Sequence, residues 1–238
     1  MATENKVFPD KYIDEIEMDL SNNYFTEVWN DVCSEIQFKS LLDVGCGNGV
    51  FTASLKQSVG CQLFGVDGSS YALEKAKSNG FDEVELIADF NSNPLPFEPE
   101  RFDCVVCKDV MEHLLAPEFL LEEISRVLKR NGFLLVHVPN HFSLYGRILF
   151  LFSNNMDTFC YFRDSKPWNF PHIRFFTYES LSELLHAKGF MIKKNLSHHF
   201  FSFPYRRFIP MKSIISKFLT RMWPSQFAEG FTIVCQKI

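Results

Sequence analysis

Apolar residues in this chain fall first into short runs that stop at glycine or an acid, and only later into helical stripes. Leu41, Leu42 and Val44 form one such run, which breaks into three alternating glycines at Gly45, Gly47 and Gly49. A buried strand is therefore expected to end in a turn that passes very close to another group, because glycine reaches positive φ and has no side chain in the way. A second run, Cys61 to Val66, stops at Asp67. Short strands are expected at Val84–Ile87, Phe102–Lys108 and Phe133–Pro139. The stripe Leu121, Ile124 and Leu128 reads as a helix that Asn131-Gly132 ends.

Further along, Thr177 is a good helix cap with Glu179 in the first turn. Leu181, Leu184 and Leu185 make the buried stripe, and Gly189 ends the helix. Phe190–Leu196 and Phe231–Lys237 read as two last strands. Alternation of strands with helical segments predicts an α/β fold. Seven strand-like runs are expected in a mostly parallel, Rossmann-like sheet with helices on both faces. The expected organisation is one domain over 1–238: an N-terminal helical cap (1–38), a cofactor-binding core (39–140), an aromatic lid (141–176), and a C-terminal helix with edge strands (177–238).

The chemistry begins at the glycines. Gly-x-Gly-x-Gly is not the dinucleotide spacing, since Val50 stands where that fingerprint's last glycine belongs, and no Gly-Lys-Ser/Thr follows for a phosphate loop. Asp43, just ahead, would repel a pyrophosphate but suits a cofactor bearing an ammonium and a sulfonium. Asp67 lies one βαβ step on, where this architecture sets a carboxylate against a ribose diol.

Asp43-Val44-Gly45-Cys46-Gly47-Asn48-Gly49 resembles the first motif of the class I S-adenosylmethionine-dependent methyltransferases. Gly65-Val66-Asp67-Gly68-Ser69 resembles the second, and Ala88-Asp89-Phe90 the adenine contact. Phe102–Lys108 resembles the fourth strand and Asp109-Val110-Met111-Glu112-His113-Leu114 the turn after it, and the resemblance implies a Rossmann-like, seven-stranded, mostly parallel sheet whose last two strands form an antiparallel edge hairpin. The resemblance implies that Asp43, Gly45, Cys46, Gly47 and Gly49 hold the methionine part of S-adenosylmethionine. It sets Asp67 and Gly68 at the ribose, Asp89 and Phe90 at the adenine, and the Lys108 backbone along the site. Asp89 has a second reading, as a cap for the turn into Asn91–Pro96.

Two groups of that class are closest in pattern. Ubiquinone-type O-methyltransferases of the type 11 group share the look of Asp109–Leu114. The MetW family, associated with methionine biosynthesis, is similar at Pro139-Asn140-His141-Phe142, Arg147–Phe152 and from Pro171-His172-Ile173-Arg174 to Gly189-Phe190. The activity so implied is methyl transfer to a small molecule, with oxygen favoured as the accepting atom. The MetW resemblance leaves a non-catalytic, regulatory partner protein as the alternative.

A hydroxyl acceptor must lose a proton, which histidine suits. His113 and His172 are the candidate bases, His141 the third. No metal-ligand cluster stands out. Cys104-Val-Val-Cys107 has a ligand-like spacing but lies inside a strand with no second pair, so the seven cysteines read as reduced apolar residues of a cytoplasmic protein.

The net charge of −5 in 238 residues does not favour nucleic acid, and residues 1–20 do not read as a signal peptide. The longest dense apolar run, Ile148–Phe152, is too short to cross a bilayer. Phenylalanine occurs 27 times, and 141–176 holds eleven aromatics, including Phe142, Tyr145, Phe150, Phe152, Tyr161, Trp168 and Phe170. They read as a lid over an acceptor with an apolar portion.

Residues 198–228 contain no acid, and helical periodicity from Pro210 places Met211, Ile214, Ile215, Phe218 and Met222 on one face. Lys212, Lys217 and Arg221 lie largely off it. Packing of that face on the domain is the first expectation. Peripheral membrane contact through 208–222 with a lipid- or glycan-linked acceptor, and a homodimer, remain open.

Overall fold

In the computed structural model, which describes residues 24–33, 36–152, 170–200 and 214–238, seven strands form one sheet in the order β3-β2-β1-β4-β5-β7-β6. The strands are β1 (Ser40–Val44), β2 (Gln62–Asp67), β3 (Glu83–Leu86), β4 (Phe102–Lys108), β5 (Leu128–Pro139), β6 (Phe190–Asn195) and β7 (Gly230–Lys237). The first five pair in parallel; β7 runs antiparallel between β5 and β6. This is the expected fold.

Alternation along the strands divides the core into two layers, because successive side chains of a strand point to opposite faces. Leu42, Val44, Phe64, Val66, Val105, Cys107, Leu134, Val136 and Ile233 lie in one cluster. There they meet Leu120, Leu121, Ile124 and Val127 of α4 (Pro117–Val127) and Leu181 and Leu185 of α6 (Tyr178–Ala187). Leu41, Leu63, Cys104, Val106, Leu135 and Val234 fill the other. They meet Val28 and Val32 of α1 (Tyr24–Cys33) and Leu73 and Ala76 of α3 (Ser70–Ser78). Cys104 and Cys107 therefore sit on opposite faces of the sheet, and the two thiols cannot share a disulfide or an ion. All six described cysteines are free thiols.

Two helix ends follow local chemistry. Thr177 caps α6 by accepting from the Ser180 N–H in a reciprocal capping box, and Gly189 at φ 81° follows its end. Helix α4, however, ends at Val127, not at Asn131-Gly132 as its stripe predicts. Leu128 is fully buried and already pairs with Phe102, and Lys129–Gly132 forms a bulge before Phe133 resumes opposite Cys104. Asn131 takes φ 60° there, and a Cβ on Gly132 would come within 2.9 Å of the Lys129 carbonyl. The residues that look like a helix stop are a strand irregularity.

Among the lid residues, α5 (Leu144–Phe152) is helical, while Tyr161 and Trp168 lie outside the described residues, as do 1–23 of the N-terminal cap. The basic amphipathic segment departs from the first expectation. In α7 (Ile214–Met222) the buried residues are Ser216 and Thr220, whereas Ile214, Ile215, Phe218 and Met222 are all more than half exposed. The small hydroxyl residues allow close approach to the domain, and the apolar face points away from it. Met211 and Lys212 lie outside the described residues.

Phe64, Phe97 and Phe102 meet edge-to-face with ring centroids 5.0 to 6.2 Å apart, and the Arg101 guanidinium covers all three. Phe102→Ala is expected to cost about 3–5 kcal/mol, the transfer energy of a buried ring plus the cavity left behind. Urea unfolding checks this against Leu115→Ala, an exposed position that should change little.

Candidate active site

The glycine turn leaves β1 through a gap that side chains close from both sides. A Cβ on Gly45 would stand 2.3 Å from Val110 Cγ2, and one on Gly49 2.5 Å from the Phe81 ring. Both residues have positive φ, 72° and 78°, which side-chain-bearing residues rarely adopt. Gly47, at φ 54°, has nothing within 4 Å of where a Cβ would lie, so its backbone borders open space. The turn is thus wedged between Phe81, in the connection from α3 to β3, and Val110 in the loop after β4, with one glycine facing outward.

Asp67, at the end of β2, is fixed by that turn. Its carboxylate accepts the Gly47 N–H at 2.8 Å and the Ser69 N–H at 2.9 Å. Burial raises its pKa, while backbone bonds from Gly47, Ser69 and Gly68 pull it down. A carboxylate offers about four lone-pair sites, so acceptor capacity remains for a pair of hydroxyls.

Asp43 is buried and accepts the Thr52 hydroxyl. Burial lifts its pKa to about 7 against that bond, with nearby Asp67 adding to the rise and Lys108 opposing it. A cationic ligand part would restore the charge. Cys46 is buried behind the turn, and a Cβ at Gly65 would lie 2.9 Å from its Sγ.

Asp89 carries out the turn-capping role that its sequence context allowed. It accepts from the Asn91 N–H and side-chain amide and from the Ser92 hydroxyl, which hold its pKa low. Phe90 packs half-buried against the first core cluster. Lys108 pairs with Asp109, and its ammonium lies 5.8 Å from the Phe51 ring centroid. Asp109 takes φ 55°, and its Oδ1 lies 3.4 Å from His137 Nε2. His137 also bonds Thr232 and is held, mainly by burial, at about 4.

All three candidate histidines converge. His113 ends a 3-10 turn (Met111–His113) and donates Nδ1–H to the Pro171 carbonyl at 3.0 Å. His172 lies with its ring centroid 4.8 Å from that of His113, and its Nδ1 is 2.8 Å from His141 Nε2. Phe170 and Phe175 pack edge-to-face on His141. Burial, with His113 and His141 nearby, pushes His172 down to about 3; burial also lowers His113, against its Pro171 bond. Both imidazoles are therefore neutral near pH 7.

One residue here was not singled out by sequence. Glu112 is 1% exposed, and its carbonyl accepts the Ile173 and Arg174 N–H groups at 2.9 and 3.0 Å, which draws the lid's return to the β4 turn. Its carboxyl is pushed well up, first by burial and then by Asp109. Glu112, His113 and His172 each offer one ligand atom, all within 4.8 Å of one another. No spacing signal links Glu112-His113 to His172; only the fold does.

Residues 42–136 match the family model of the methyltransferase domain. The chain is 31% identical over 97 residues to a ubiquinone biosynthesis O-methyltransferase of Proteus mirabilis (40% of this chain, 39% of the relative). It is 28% identical over 118 residues to that of Glaesserella parasuis (47% and 50%). An uncharacterized protein of Haemophilus influenzae is 37% identical over 107 residues (42% and 43%). The chain thus spans about half or less of the length of these curated relatives. An S-adenosylmethionine-dependent methyltransferase of Thermotoga maritima shares the fold at TM-score 0.58 and 22% identity, covering 90% of this chain and 89% of that one. One from Mesorhizobium loti does so at 0.61 and 15%, covering 90% and 98%.

Sheet order, glycine turn and the matched domain define a class I methyltransferase fold. Residues 42–136 are thus a methyltransferase domain by their match, and the sheet around them has the fold of S-adenosylmethionine-dependent methyltransferases. The residues present fit such a cofactor: Asp43 is a buried acid with no cation bonded to it among the described contacts, and the Asp67 carboxylate keeps acceptor capacity beyond its two backbone bonds.

Asp67→Ala should weaken donor binding by about 1–3 kcal/mol, the loss of a charged hydrogen-bond acceptor, as calorimetry would measure. For Asp43 the folded pKa lies above the unfolded one, so the protonated acid is the form that suits the apoprotein. Its contribution is fully present below pH 3.8 and is lost as pH rises through about 7, amounting to at most about 4 kcal/mol. Donor binding runs the other way, strengthening as pH rises through 7. Asp43→Asn should flatten both trends, which thermal melts and donor titrations across pH would register.

Proposed function

We propose that this protein transfers the methyl group of S-adenosylmethionine to a small-molecule acceptor that has an apolar portion, with oxygen as the accepting atom. The observation that carries the reading is the Asp67 carboxylate, bonded to the glycine turn and the α3 cap at the carboxyl end of the sheet. That is the side on which open α/β sheets bind ligands. In this reading Asp43, Gly45, Cys46, Gly47 and Gly49 take the methionine part. Asp67 and Gly68 take the ribose, Asp89 and Phe90 the adenine, and the Lys108 backbone borders the sulfur.

Methyl transfer is an in-line displacement with an activated leaving group, so alignment and water exclusion do most of the work. The oxygen attacks the methyl carbon as the carbon–sulfur bond breaks, giving S-adenosylhomocysteine, and the hydroxyl proton leaves. His113 and His172 line the acceptor side, and neutral imidazoles there can receive that proton. Phe170 and Phe175 supply apolar contact.

The outward face of α7 supports an acceptor presented at a lipid surface. Ile214, Ile215, Phe218, Met222 and Trp223 are exposed beside the exposed cations Lys217 and Arg221. Such a face suits anionic lipid. It favours a second reading equally, a regulatory partner protein of the MetW type or a homodimer, in which the same residues bind protein.

Incubating the protein with labelled methyl donor and fractionated small-molecule and lipid extracts separates these readings. Label entering a base-stable ether supports oxygen methylation, and His172→Ala should then lower turnover by about 10²- to 10⁴-fold. Unchanged turnover in that variant would remove His172 from the chemistry. No transfer, with one enzyme recovered stoichiometrically in a pull-down, would establish the partner reading instead.

A further inference from the structure

Glu112, His113 and His172 have the composition of a metal seat, and their surroundings supply what such a seat needs. Two imidazoles and one carboxylate converge within 4.8 Å. A tetrahedral ion with bonds near 2.0–2.1 Å sets its donors about 3.4 Å apart, so the three would close in by roughly 1 Å. Both imidazoles are anchored at Nδ1, which leaves Nε2 as the nitrogen for ligation. His113 Nδ1–H donates to the Pro171 carbonyl, which leaves the lone pair on Nε2, 3.9 Å from Glu112 Oε1. His172 Nδ1 engages His141 Nε2, which directs its Nε2 away from that contact. Metal-bound histidines are oriented in this manner, by a carbonyl or another acceptor on the second nitrogen.

The carboxylate adds an independent observation. Glu112 Oε2 is buried with no hydrogen-bond partner. A buried polar oxygen without a partner is costly and calls for an explanation. The orphan oxygen belongs to the residue that would bring negative charge to the seat. The turn carrying it is clasped to the lid's return by two backbone bonds from Ile173 and Arg174, so all three donors are held on one rigid junction.

We propose that Glu112, His113 and His172 form a binding site for a divalent transition ion of the zinc type, with His141 as the residue that orients His172. Two imidazoles with one carboxylate select zinc, cobalt or ferrous ions over magnesium and calcium, which prefer all-oxygen sets. Three protein donors leave a coordination position open, as in catalytic sites. A role for the ion in activating an acceptor hydroxyl rests on the oxygen-methylation reading above. Ion binding itself does not.

The test uses the full chain, stripped with chelator, and no methyl donor. Cobalt(II) is titrated while visible d–d absorption is followed, and zinc is then added in competition. One equivalent per chain with an intense, low-symmetry spectrum, displaced by zinc and unaffected by magnesium, is the expected result. Glu112→Gln and His172→Ala should each abolish the spectrum, and His141→Ala should weaken binding about ten- to a hundredfold. His186→Ala, an exposed histidine on α6, should leave it unchanged. Donor titration of each variant shows that it is folded. It also separates the two ideas, since a donor site that binds beside a silent cobalt titration would overturn only the metal seat. Absence of the d–d spectrum, or its survival in both Glu112→Gln and His172→Ala, contradicts the proposal.

Discussion

The wedge of the glycine turn between Val110 and Phe81 is the contact on which the rest of the site depends. Gly45 and Gly49 pass where any Cβ would overlap a neighbour, so the turn cannot move without moving the connection from α3 to β3 and the loop after β4. Gly47 then has its N–H available for Asp67, and Ser69 supplies a second N–H from the cap of α3. Val110 is also the residue before the turn that carries Glu112 and His113. Steric closure at two glycines thereby couples the Asp43–Asp67 side of the cleft, where we propose the donor binds, to the histidine side proposed for the acceptor.

Electrostatics follow from that closure. Asp43 is buried by the same turn and is lifted to about 7, so the apoprotein has charge to gain from a cation. Beyond β4, His172 is buried and His113 partly so, in an aromatic setting that keeps both neutral, with His172 down to about 3. A neutral imidazole keeps a lone pair, which can take a proton from a hydroxyl made acidic by the forming bond to carbon and is also the form that ligates an ion. The two sides of the site thus ask for opposite things: the donor side lacks a positive charge, and the acceptor side has turned two side chains into lone-pair donors.

Much of this was legible from the chain. Runs of apolar residues ending at glycine or aspartate placed β1, β2 and β4 within a residue, because a buried parallel strand needs continuous apolar sequence and its turn needs special residues. Asp67 was singled out through the one-step βαβ spacing, and it stands at the end of β2 bonded to the glycine turn. Less local features were not legible. The end of α4 was misread because Asn131-Gly132 serves a strand bulge as well as a helix stop, and only the pairing of Leu128 with Phe102 decides between them. Periodicity found the apolar face of α7 but not the direction it faces; Ser216 and Thr220 take the inner side through their small size. Glu112 escaped notice because its backbone partners, Ile173 and Arg174, return about sixty residues later in the chain.

A calorimetric titration of the purified protein with S-adenosylmethionine and with S-adenosylhomocysteine, using NAD as the control, tests the account at its centre. Micromolar binding of both, with none of NAD, is the predicted result, since the Gly-x-Gly-x-Gly turn and Asp43 suit a sulfonium amino acid and not a pyrophosphate. Failure to bind either compound, or binding of NAD in their place, would contradict it.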